Sequence, residues 1–353
     1  MSLSEFREKI NKIDTKVVKL LNERAELSLS IGQEKLKAKK GIYSPDREKE
    51  VIKRVKALNQ GPMRNESVEA VYREIMSSSL SLEKNLKIAY FGEAGSFTHL
   101  AANKKFGTSL AYIPCSSILE VFQRVEQEDC DYGVVPIENS IEGAVTHTFD
   151  LLVDSDLKIC SQIMLRVSHN LLSNSPLARI KRIYSHPQGF GQCRSWILKN
   201  LPRAEQISLA STTAAALKAA KEKGSAAIAS SLAAKIYHLN IIQSNIQDIS
   251  HNMTRFLVIS RQDVPPTGKD RTSILFSIKD KVGALHAMLT PFYKNKINLT
   301  KIESRPSKKR AWDYYFFVDF EGHREDANVK KALDQLEGMC KYLKIVGSYP
   351  VME

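Results

Sequence analysis

The stretch YGVVPIENSIEGAV, residues 132–145, changes character in its middle. An apolar run leads directly into Glu138, Asn139 and Ser140, and apolar residues resume just beyond them. Burying a polar group without a partner costs about 1 to 3 kcal/mol on mutational scales. A strand that ends in a capped turn is the simplest interpretation, but these three side chains still need partners.

Outward from this stretch, residues from Leu86 onwards alternate between two patterns. Short β-like runs are LKIAYFG, YGVVPIEN, RIYSHP, AAIAS and RFLVIS, and helix-like runs with Ser at the cap are SFTHLAANKKF and STTAAALKAAKEKG. This alternation predicts an α/β domain with a mostly parallel sheet, in which sites lie beyond the carboxyl ends of strands.

The residues before this domain have a helical period instead. Residues 3 to about 40 predict one long helix, and Ser44-Pro45 predicts the cap and first residue of a second helix. A third predicted helix ends near Glu83. The apolar positions of the first helix are Leu3, Phe6, Ile10, Ile13, Val17, Leu20, Leu21, Leu27 and Ile31. We therefore expect an all-α unit of three helices.

The residues after the α/β domain predict a third arrangement. A linker, RQDVPPTGKDR, is followed by TSILFSIKD, a helix from Gly283, NLTKIESRPS, WDYYFFVDFEGH, a helix from Asp326, and LKIVGSYPV. This βαββαβ order is ferredoxin-like. A chain of 353 residues is long enough for two or three such domains.

The bulk composition excludes several classes of function. The net charge of +13 is spread evenly, because residues 1–85, 86–262 and 263–353 hold 18, 18 and 16 basic against 13, 14 and 12 acidic residues. Neither a nucleic-acid surface nor a membrane anchor is expected. The five cysteines show no CxxC spacing, and we expect no metal, no cofactor and a cytoplasmic location with reduced thiols.

Three cations interrupt the apolar seams of the first helix. Arg7, Arg24 and Lys35 occupy heptad positions where a packed helix would carry Leu. They either extend to solvent along the helix or receive an anion. At about 1.5 Å per residue, Arg24 and Lys35 are about 16 Å apart, whereas Arg7 is about 42 Å from Lys35. A second copy of the helix in antiparallel orientation would bring its Arg7 close to Arg24 and Lys35. The seam therefore predicts a dimer in which each site contains residues of both chains.

Residues 1–84 resemble the all-helical chorismate mutase family through REKINKID, LLNERAEL, IGQEKL and PDREKEV. The resemblance implies a dimeric domain that binds the dicarboxylate chorismate and rearranges it by holding the reactive conformer and stabilising charge on the ether oxygen. Lys35 and Glu83 would be the catalytic residues, and the substrate-binding residues would be Arg7 from the partner chain, Arg24, Arg47, Glu48 and Ser79.

Two positions depart from the common family pattern. Ser44 stands where Asp is frequent, and Glu83 stands where many members have Gln beside the ether oxygen. A carboxylate cannot donate a hydrogen bond, so Glu83 would have to be protonated. We therefore expect mutase activity to fall as the pH rises.

Residues 86–262 resemble prephenate dehydratases through GEAGSFTHLAA, VPIENSIEGAV, SHPQGFGQC, AAIASSLAAKIY and HNMTRFLVI. The implied fold is two-lobed and similar to periplasmic binding proteins, with substrate in the cleft. Thr254 would donate a hydrogen bond to the departing hydroxyl, Glu138 would supply or relay a proton, and Arg255 would anchor a carboxylate. Asn139, Ser185 and Gln192 would orient the ring. The other interpretation of Thr254 and Arg255 is an ordinary strand start.

Residues 271–350 resemble the amino-acid-binding ACT domain through GALHAML and NLTKIESRPSK. The resemblance implies an allosteric phenylalanine site between two chains, and the alternative is a βαββαβ unit used only for dimerisation. The expected effector residues are Gly283, Ala284, Leu285, Asn298, Leu299, Glu303, Ser304 and Arg305.

Together, the three resemblances imply a bifunctional chorismate mutase–prephenate dehydratase controlled by phenylalanine. A dehydratase that prefers arogenate and a non-catalytic amino-acid sensor are the rival interpretations. Dimer and tetramer both fit, because dimerisation is expected at both ends of the chain.

Overall fold

The structure is a computed structural model that describes residues 1–38, 41–278, 282–306 and 314–351. It divides into two compact units, one of residues 1–87 and 106–111 and the other of residues 88–105 and 112–353. Sequence predictions that fall on Lys39, Lys40, Lys279, Asp280 and residues 307–313 lie outside the described residues. No helix in the described ranges has the length and apolar content that a bilayer crossing requires.

The first unit contains three helices with the predicted order. They are α1 (Leu3–Lys37), α2 (Pro45–Leu58) and α3 (Asn65–Glu83), and α3 packs against both others. A capping box starts α1, because Ser2 Oγ accepts the Glu5 N–H at 3.3 Å and the Ser2 N–H donates to the Glu5 carboxylate at 2.7 Å. Ser44 is the N-cap of α2 by position, but its side chain makes no capping bond.

Among the described residues of this unit, the apolar seam of α1 has no partner. Its residues stay exposed, from Leu3 at 67% and Ile10 at 55% to Ile31 at 53%. The face of α1 that touches α3 is narrow and carries a glycine, since Gly32 is buried. A Cβ at Gly32 would lie 2.9 Å from Glu83 Cβ, so this glycine sets the distance between α1 and α3.

The second unit begins with a mixed sheet of six strands. The strand order is β2-β1-β3-β11-β5, with β4 paired to β3. The strands are β1 (Lys87–Phe91), β2 (Ala111–Cys115), β3 (Tyr132–Asn139), β4 (Gly143–Ala144), β5 (Lys158–Arg166) and β11 (Met253–Ser260). The helices between these strands are α4 (Phe97–Phe106), α5 (Ile118–Glu126) and α6 (Thr146–Asp154).

A second sheet has the order β10-β6-β9-β7-β8. Its strands are β6 (Asn170–Ser173), β7 (Arg182–Ser185), β8 (Glu205–Ser208), β9 (Ser225–Ala229) and β10 (Asn240–Gln243). It carries α7 (Pro187–Gln192), α8 (Arg194–Asn200), α9 (Thr212–Lys221), α10 (Ser231–Ile236) and a 3₁₀ turn at Leu177–Arg179. Two apolar clusters, one around Ala216 and Ala227 and one around Ile183 and Ile197, are built on this sheet.

The prediction of a mostly parallel sheet was wrong. The β1–β3, β7–β8 and β7–β9 pairs are parallel, but β11 is antiparallel to both β3 and β5, and β6 is antiparallel to β9 and β10. The reason is that the chain crosses to the second sheet between β5 and β6 and returns between β10 and β11. The first strand after each crossing, β6 and then β11, runs antiparallel to its neighbours in the sheet that it enters. The two sheets, joined by these two crossings, form the two lobes that the sequence predicted.

The third sheet has the order β13-β14-β12-β15 and the predicted βαββαβ connection. Its elements are β12 (Asp270–Ser277), α11 (Ala284–Lys294), β13 (Leu299–Pro306), β14 (Tyr314–Glu321), α12 (Ala327–Glu337) and β15 (Tyr342–Pro350). One face holds its own core of Phe276, Phe292 and Phe320 with their neighbours.

The other face of the third sheet packs on the first sheet. Phe317 and Val346 belong to the same apolar cluster as Leu257 and Ile259 of β11. The backbones approach closely where β15 passes β5, because a Cβ at Gly347 would lie 2.3 Å from the Ile159 carbonyl oxygen. The first and third sheets therefore share a core.

Candidate active and effector sites

Four of the residues predicted for the helical site converge within one chain. Arg24 of α1 donates to Ser79 Oγ of α3, and Lys35 Nζ lies 3.3 Å from the Glu83 carboxylate. Ser79 is buried and the Glu83 side chain is 8% exposed, whereas Arg24 and Lys35 are partly exposed. Two cations therefore face a hydroxyl and a carboxylate across one α1–α3 groove, which is a charge arrangement suited to a small anion.

The segment between α1 and α2 completes one side of this groove. Lys35 Nζ also donates to the Ile42 carbonyl oxygen at 2.5 Å, and Tyr43 Oη donates to the Glu48 carboxylate at 2.6 Å. Glu48 is thus fixed beside the residues that hold Lys35. The predicted residues Arg7 and Arg47 are not brought here: Arg7 is exposed near the start of α1, and Arg47 forms an exposed pair with Glu50 at 2.5 Å.

A second cluster lies at the ends of β3 and β11 and contains Asn139 and Thr254. These residues are opposite each other in the strand register, and Asn139 Nδ2 lies 2.7 Å from Thr254 Oγ1. Asn139 Oδ1 accepts the backbone N–H groups of Ile141 and Glu142 at 2.9 and 3.1 Å. The amide orientation is therefore fixed, and Nδ2 is the donor to Thr254. Thr254 Oγ1 accepts the hydrogen bond from Asn139, so the Thr254 O–H is available to donate to another group.

Hydrogen bonds extend this cluster to residues that the sequence reasoning missed. Asn252 Oδ1 accepts from Asn139 Nδ2 at 2.7 Å, and Asn252 Nδ2 donates to Gln192 Oε1 at 3.1 Å. The same Gln192 oxygen lies 2.8 Å from His169 Nε2, which must be protonated to donate. Burial lowers the pKa of His169, so the ring is neutral.

The two missed residues lie where the chain passes between the lobes. His169 is in the crossing from β5 to β6, and Asn252 is in the crossing from β10 to β11. Through Gln192 and Asn139, one directed hydrogen-bond chain joins both crossings to both lobes. Asn252 is inside the HNMTRF motif that the sequence identified, so its position was available, while nothing in the pattern distinguished His169.

The structure does not bring Glu138 and Arg255 together with Asn139 and Thr254. Successive residues of a strand point to opposite faces, so these neighbours of Asn139 and Thr254 point away from that pair. Arg255 is 3% exposed, with Nη1 2.5 Å from Asp319 of β14, and Glu138 pairs with Lys301 of β13. Both are paired with residues of the third sheet, so the roles predicted for them stay predictions.

Ser185 is also placed apart from the cluster. Its side chain is fully buried at the end of β7, and Oγ donates to the Ile228 carbonyl oxygen at 3.2 Å. A Cβ at Gly189 of α7 would lie 2.4 Å from Ser185 Oγ, so α7 covers this hydroxyl. Ser185 therefore supports the start of α7, which carries Gln192, instead of facing a ligand.

The glycine-rich loop before α4 brings a further carboxylate to the opposite lobe. Glu93, after β1, accepts the Ser211 hydroxyl at 3.0 Å and also the Thr213 hydroxyl at the first turn of α9. A carboxylate at a helix N-terminus is favoured by the helix dipole. Gly92 and Gly95, with φ of 95° and 90°, allow this loop its shape.

The residues predicted for the effector site lie in two segments of the third sheet's domain. Gly283 caps α11 with φ of 74°, Ala284 is buried, and Leu285 is 37% exposed. In the second segment, Asn298 donates to Glu321 at 3.2 Å and Leu299 begins β13.

The remaining three effector residues follow on β13. Glu303 lies 3.9 Å from Lys301, Arg305 lies 4.0 Å from Asp150 of α6, and Ser304 is between them. This strand is thus in contact with the first sheet and its helices.

Comparisons with known proteins match all three parts in order. The chorismate mutase type II family profile matches residues 6–84, the prephenate dehydratase profile matches residues 88–264, and the ACT domain profile matches residues 272–338. Together they span most of the chain.

Individual relatives agree with the profiles. A bifunctional chorismate mutase/prephenate dehydratase of Aquifex aeolicus is 49% identical over 99% of this chain and 98% of its own length. A prephenate dehydratase of Arthrobacter aurescens, solved in complex with L-Phe, is 32% identical, with a TM-score of 0.69 over 75% of this chain and 90% of that one. GqqA, described as a quorum quenching acylase, is 30% identical, with a TM-score of 0.70 over 75% and 98%. The chain belongs to the family of bifunctional chorismate mutase/prephenate dehydratases that carry an ACT domain.

Proposed function

We propose that the helical unit converts chorismate to prephenate and that the two-lobed domain converts prephenate to phenylpyruvate, under control by phenylalanine. The directed hydrogen bond from Asn139 to Thr254 carries the dehydratase assignment, since it leaves a hydroxyl proton available at a strand end. The three functional regions we assign are residues 1–84, 86–262 and 271–350. A cytoplasmic location fits a biosynthetic role on soluble substrates.

For the mutase step, Arg24 and Lys35 bind the carboxylates of chorismate, and the buried Ser79 orients Arg24. The reaction is an intramolecular rearrangement, so it requires no nucleophile. Binding the compact conformer and placing hydrogen-bond donors at the ether oxygen lower the barrier. Glu83 reaches that oxygen as a donor only in its protonated form, and Lys35 then turns from Glu83 to the substrate.

A second copy of the chain supplies the remaining groups of this site. The exposed apolar seam of α1 requires a covering partner, and a second α1 in antiparallel orientation brings Arg7 to the groove that its own helix cannot reach. We assign a homodimer as the minimal form, and pairing of the third domains would extend it to a tetramer.

For the dehydratase step, the bond between the ring carbon and the hydroxyl breaks with both electrons on oxygen. The bond to the departing carboxylate supplies the ring electrons as CO2 leaves. Thr254 donates its O–H to the leaving oxygen, which takes its proton from solvent, and Asn139 holds Thr254 in this orientation. Gln192, fixed through Asn252, presents its Nε2 donor to the substrate in place of the long 3.5 Å bond that this group makes to the Glu142 carboxylate.

The decisive experiment feeds chorismate to the purified full-length chain and follows prephenate and phenylpyruvate, with and without phenylalanine. We expect both products in sequence and a phenylalanine-dependent change in the second rate. Turnover of arogenate in preference to prephenate would instead assign an arogenate dehydratase. Binding of phenylalanine without either product would identify an amino-acid sensor and overturn the proposal.

A further inference from the structure

Four charged residues form a closed arrangement where the third sheet meets the first. Arg255 of β11 and Glu138 of β3 are opposite each other in the register of the first sheet. Lys301 of β13 and Asp319 of β14 are opposite each other in the register of the third sheet. Each sheet therefore presents one cation and one anion side by side. We call these four residues the charge quartet.

Ion pairs join the quartet between the sheets. Arg255 Nη1 lies 2.5 Å from Asp319 Oδ2, and Lys301 Nζ pairs with Glu138 Oε2. Signs thus alternate around the quartet, and its formal charge is zero. The two pairs are adjacent, since Arg255 and Glu138 are opposite each other in the strand register.

The arginine pair is almost fully enclosed, and further hydrogen bonds reach both side chains, although Arg255 Nε has no partner among the described residues. The side chains of Arg255 and Asp319 are 4% and 0% exposed. Arg255 Nη2 donates to Tyr349 Oη at 2.8 Å, and Ser273 Oγ donates to Asp319 Oδ1 at 2.5 Å. A buried pair with this many partners has one preferred geometry, because displacing either charge leaves the other uncompensated.

The lysine pair is the adjustable half of the quartet. Lys301 is 17% exposed and Glu138 is 31% exposed. Lys301 also lies 3.9 Å from Glu303, so it has one anionic partner in the dehydratase sheet and one in its own strand. Its ammonium group is 5.7 Å from the Phe149 ring centroid, which limits its range of positions. Lys301 is therefore placed between the predicted effector residue and the dehydratase strand.

The strands that carry the quartet are the strands that carry the active-site pair. Glu138 precedes Asn139 on β3, and Arg255 follows Thr254 on β11. A displacement of Glu138 or Arg255 on one face moves Asn139 or Thr254 on the other, because each pair shares a peptide bond. Small displacements of either residue would change the hydrogen bond between Asn139 and Thr254, which is 2.7 Å long.

We propose that Lys301 transmits effector binding to the dehydratase site through Glu138. The proposal rests on the proposed function, because it requires an amino acid bound at Glu303. An ammonium group at Glu303 neutralises one of the two partners of Lys301 and repels its cation. Lys301 is then shifted towards Glu138, and the end of β3 that carries Asn139 moves with it.

The test compares Lys301→Gln with Lys301→Arg in the full-length chain. We expect Lys301→Gln to keep its dehydratase kcat without effector within about threefold, as for loss of a partly exposed ion pair. The ratio of its rates with and without phenylalanine should approach one, while calorimetry still detects phenylalanine binding. Lys301→Arg should keep the wild-type ratio. Lys330→Gln, at an exposed position of α12, is the matched control and should also keep it.

Three outcomes would overturn the inference. The first is a full phenylalanine response in Lys301→Gln. The second is loss of phenylalanine binding in that variant, which would make Lys301 a ligand. The third is loss of its basal dehydratase rate, which would give Glu138 a direct catalytic role. A wild-type chain that dehydrates prephenate but ignores phenylalanine would show that the proposed regulation itself fails, before any variant is made.

Discussion

Thr254 is the residue on which the dehydratase assignment depends most directly. Thr254→Val keeps the side-chain shape and removes the hydroxyl. We expect the dehydratase kcat to fall about 10²- to 10³-fold with a smaller change in KM, because the lost bond is made to the leaving oxygen. Steady-state kinetics on prephenate would measure this.

Two comparisons control the Thr254 prediction. Thr254→Ser keeps the hydroxyl and should retain most of the activity, and the mutase rate of both variants should equal that of the wild type. Equal kcat values for the Val and Ser variants would show that the hydroxyl does not act on the leaving group.

Glu83 tests the helical site at the same scale. A carboxylate beside Lys35 accepts hydrogen bonds, whereas a Gln amide can donate at any pH. We expect Glu83→Gln to remove the fall of mutase kcat as the pH rises. Glu34→Gln, at an exposed pair with Lys37, should leave the curve unchanged. The same pH–rate curve for Glu83→Gln and the wild type would refute protonated Glu83 as the donor.

Single residues also show where prediction from sequence ended. Asn139 and Thr254 were identified by their motifs, and the structure brings them together. Glu138 and Arg255, in the same motifs, were assigned to the same site, although strand alternation sends adjacent residues to opposite faces. The bulge at Arg255–Phe256 and the third sheet that receives these charges decide which face is which, and neither is visible in a local pattern.

At the scale of elements, α1 and α3 fix the mutase groove through one glycine. Gly32→Ala would place a methyl group 2.9 Å from Glu83 Cβ, and overpacking of this kind costs about 1 to 3 kcal/mol. We expect a lower unfolding midpoint for the first unit and a loss of mutase activity, because Glu83 must move. Mutase kinetics and thermal unfolding measure both effects.

An exposed glycine provides the control for Gly32. Gly61 lies in the connection between α2 and α3 with no atom near the position of a Cβ. Gly61→Ala should therefore leave mutase activity and the unfolding midpoint near the wild-type values. If Gly32→Ala behaved in the same way, α1 and α3 would be free to separate without affecting Glu83.

The α4 helix makes stability of the second unit depend on pH through His99. Burial lowers the pKa of His99 from 6.5 to about 4, and its Nδ1 accepts the Gly95 N–H at 3.1 Å. As the pH falls, His99 is protonated in the unfolded chain before it is protonated in the folded chain. The contribution of the neutral ring to stability is therefore full above pH 6.5, decreases as the pH falls towards 4, and stays constant below that. The size of the loss follows from the difference in pKa between the unfolded and the folded chain.

Replacing the ring would test this dependence. His99→Asn should lower stability at neutral pH, since the stack on Tyr90 at 4.5 Å is lost, and should flatten the change between pH 6.5 and 4. Urea unfolding at several pH values measures it, with exposed His147→Gln as the control. An unchanged slope in His99→Asn would assign the pH dependence to other groups.

Helices and strands were predicted correctly where the sequence signal lies within the element itself. The three helices of the first unit follow from an apolar period and from serine and proline at the start of α2. The strand β3 was predicted with its observed bounds because its apolar run is continuous. By contrast, β2, β4, β5, β6, β8 and β10 were not identified. The direction and pairing of β5, β6 and β10 depend on the two crossings between lobes. The sheet was therefore predicted as mostly parallel, whereas it is mixed.

At the scale of the whole molecule, the chain carries more binding groups than one copy can bring together. Arg24, Lys35, Ser79 and Glu83 meet within one α1–α3 groove, but Arg7 lies on the same helix about 42 Å from Lys35. The exposed apolar seam between them is the surface through which a second copy would attach. We therefore propose that the site is complete only in a symmetric dimer.

Mixing inactive variants tests this sharing directly. Arg7→Ala and Arg24→Ala should each lose mutase activity as homodimers. After mixing with subunit exchange, half of the dimers combine both variants, and each has one intact site of two. Mutase activity should recover to about one quarter of the wild-type value, as expected for a two-fold interface.

A same-chain pair supplies the control for the mixing experiment. Arg24 and Lys35 belong to one groove of one copy, so Arg24→Ala mixed with Lys35→Ala has no intact site in any dimer and should stay inactive. Recovery in that control, or none in the first mixture, would contradict a site shared through Arg7. Dehydratase activity should be unchanged throughout, because its hydrogen-bonded cluster lies within a single copy of the second unit.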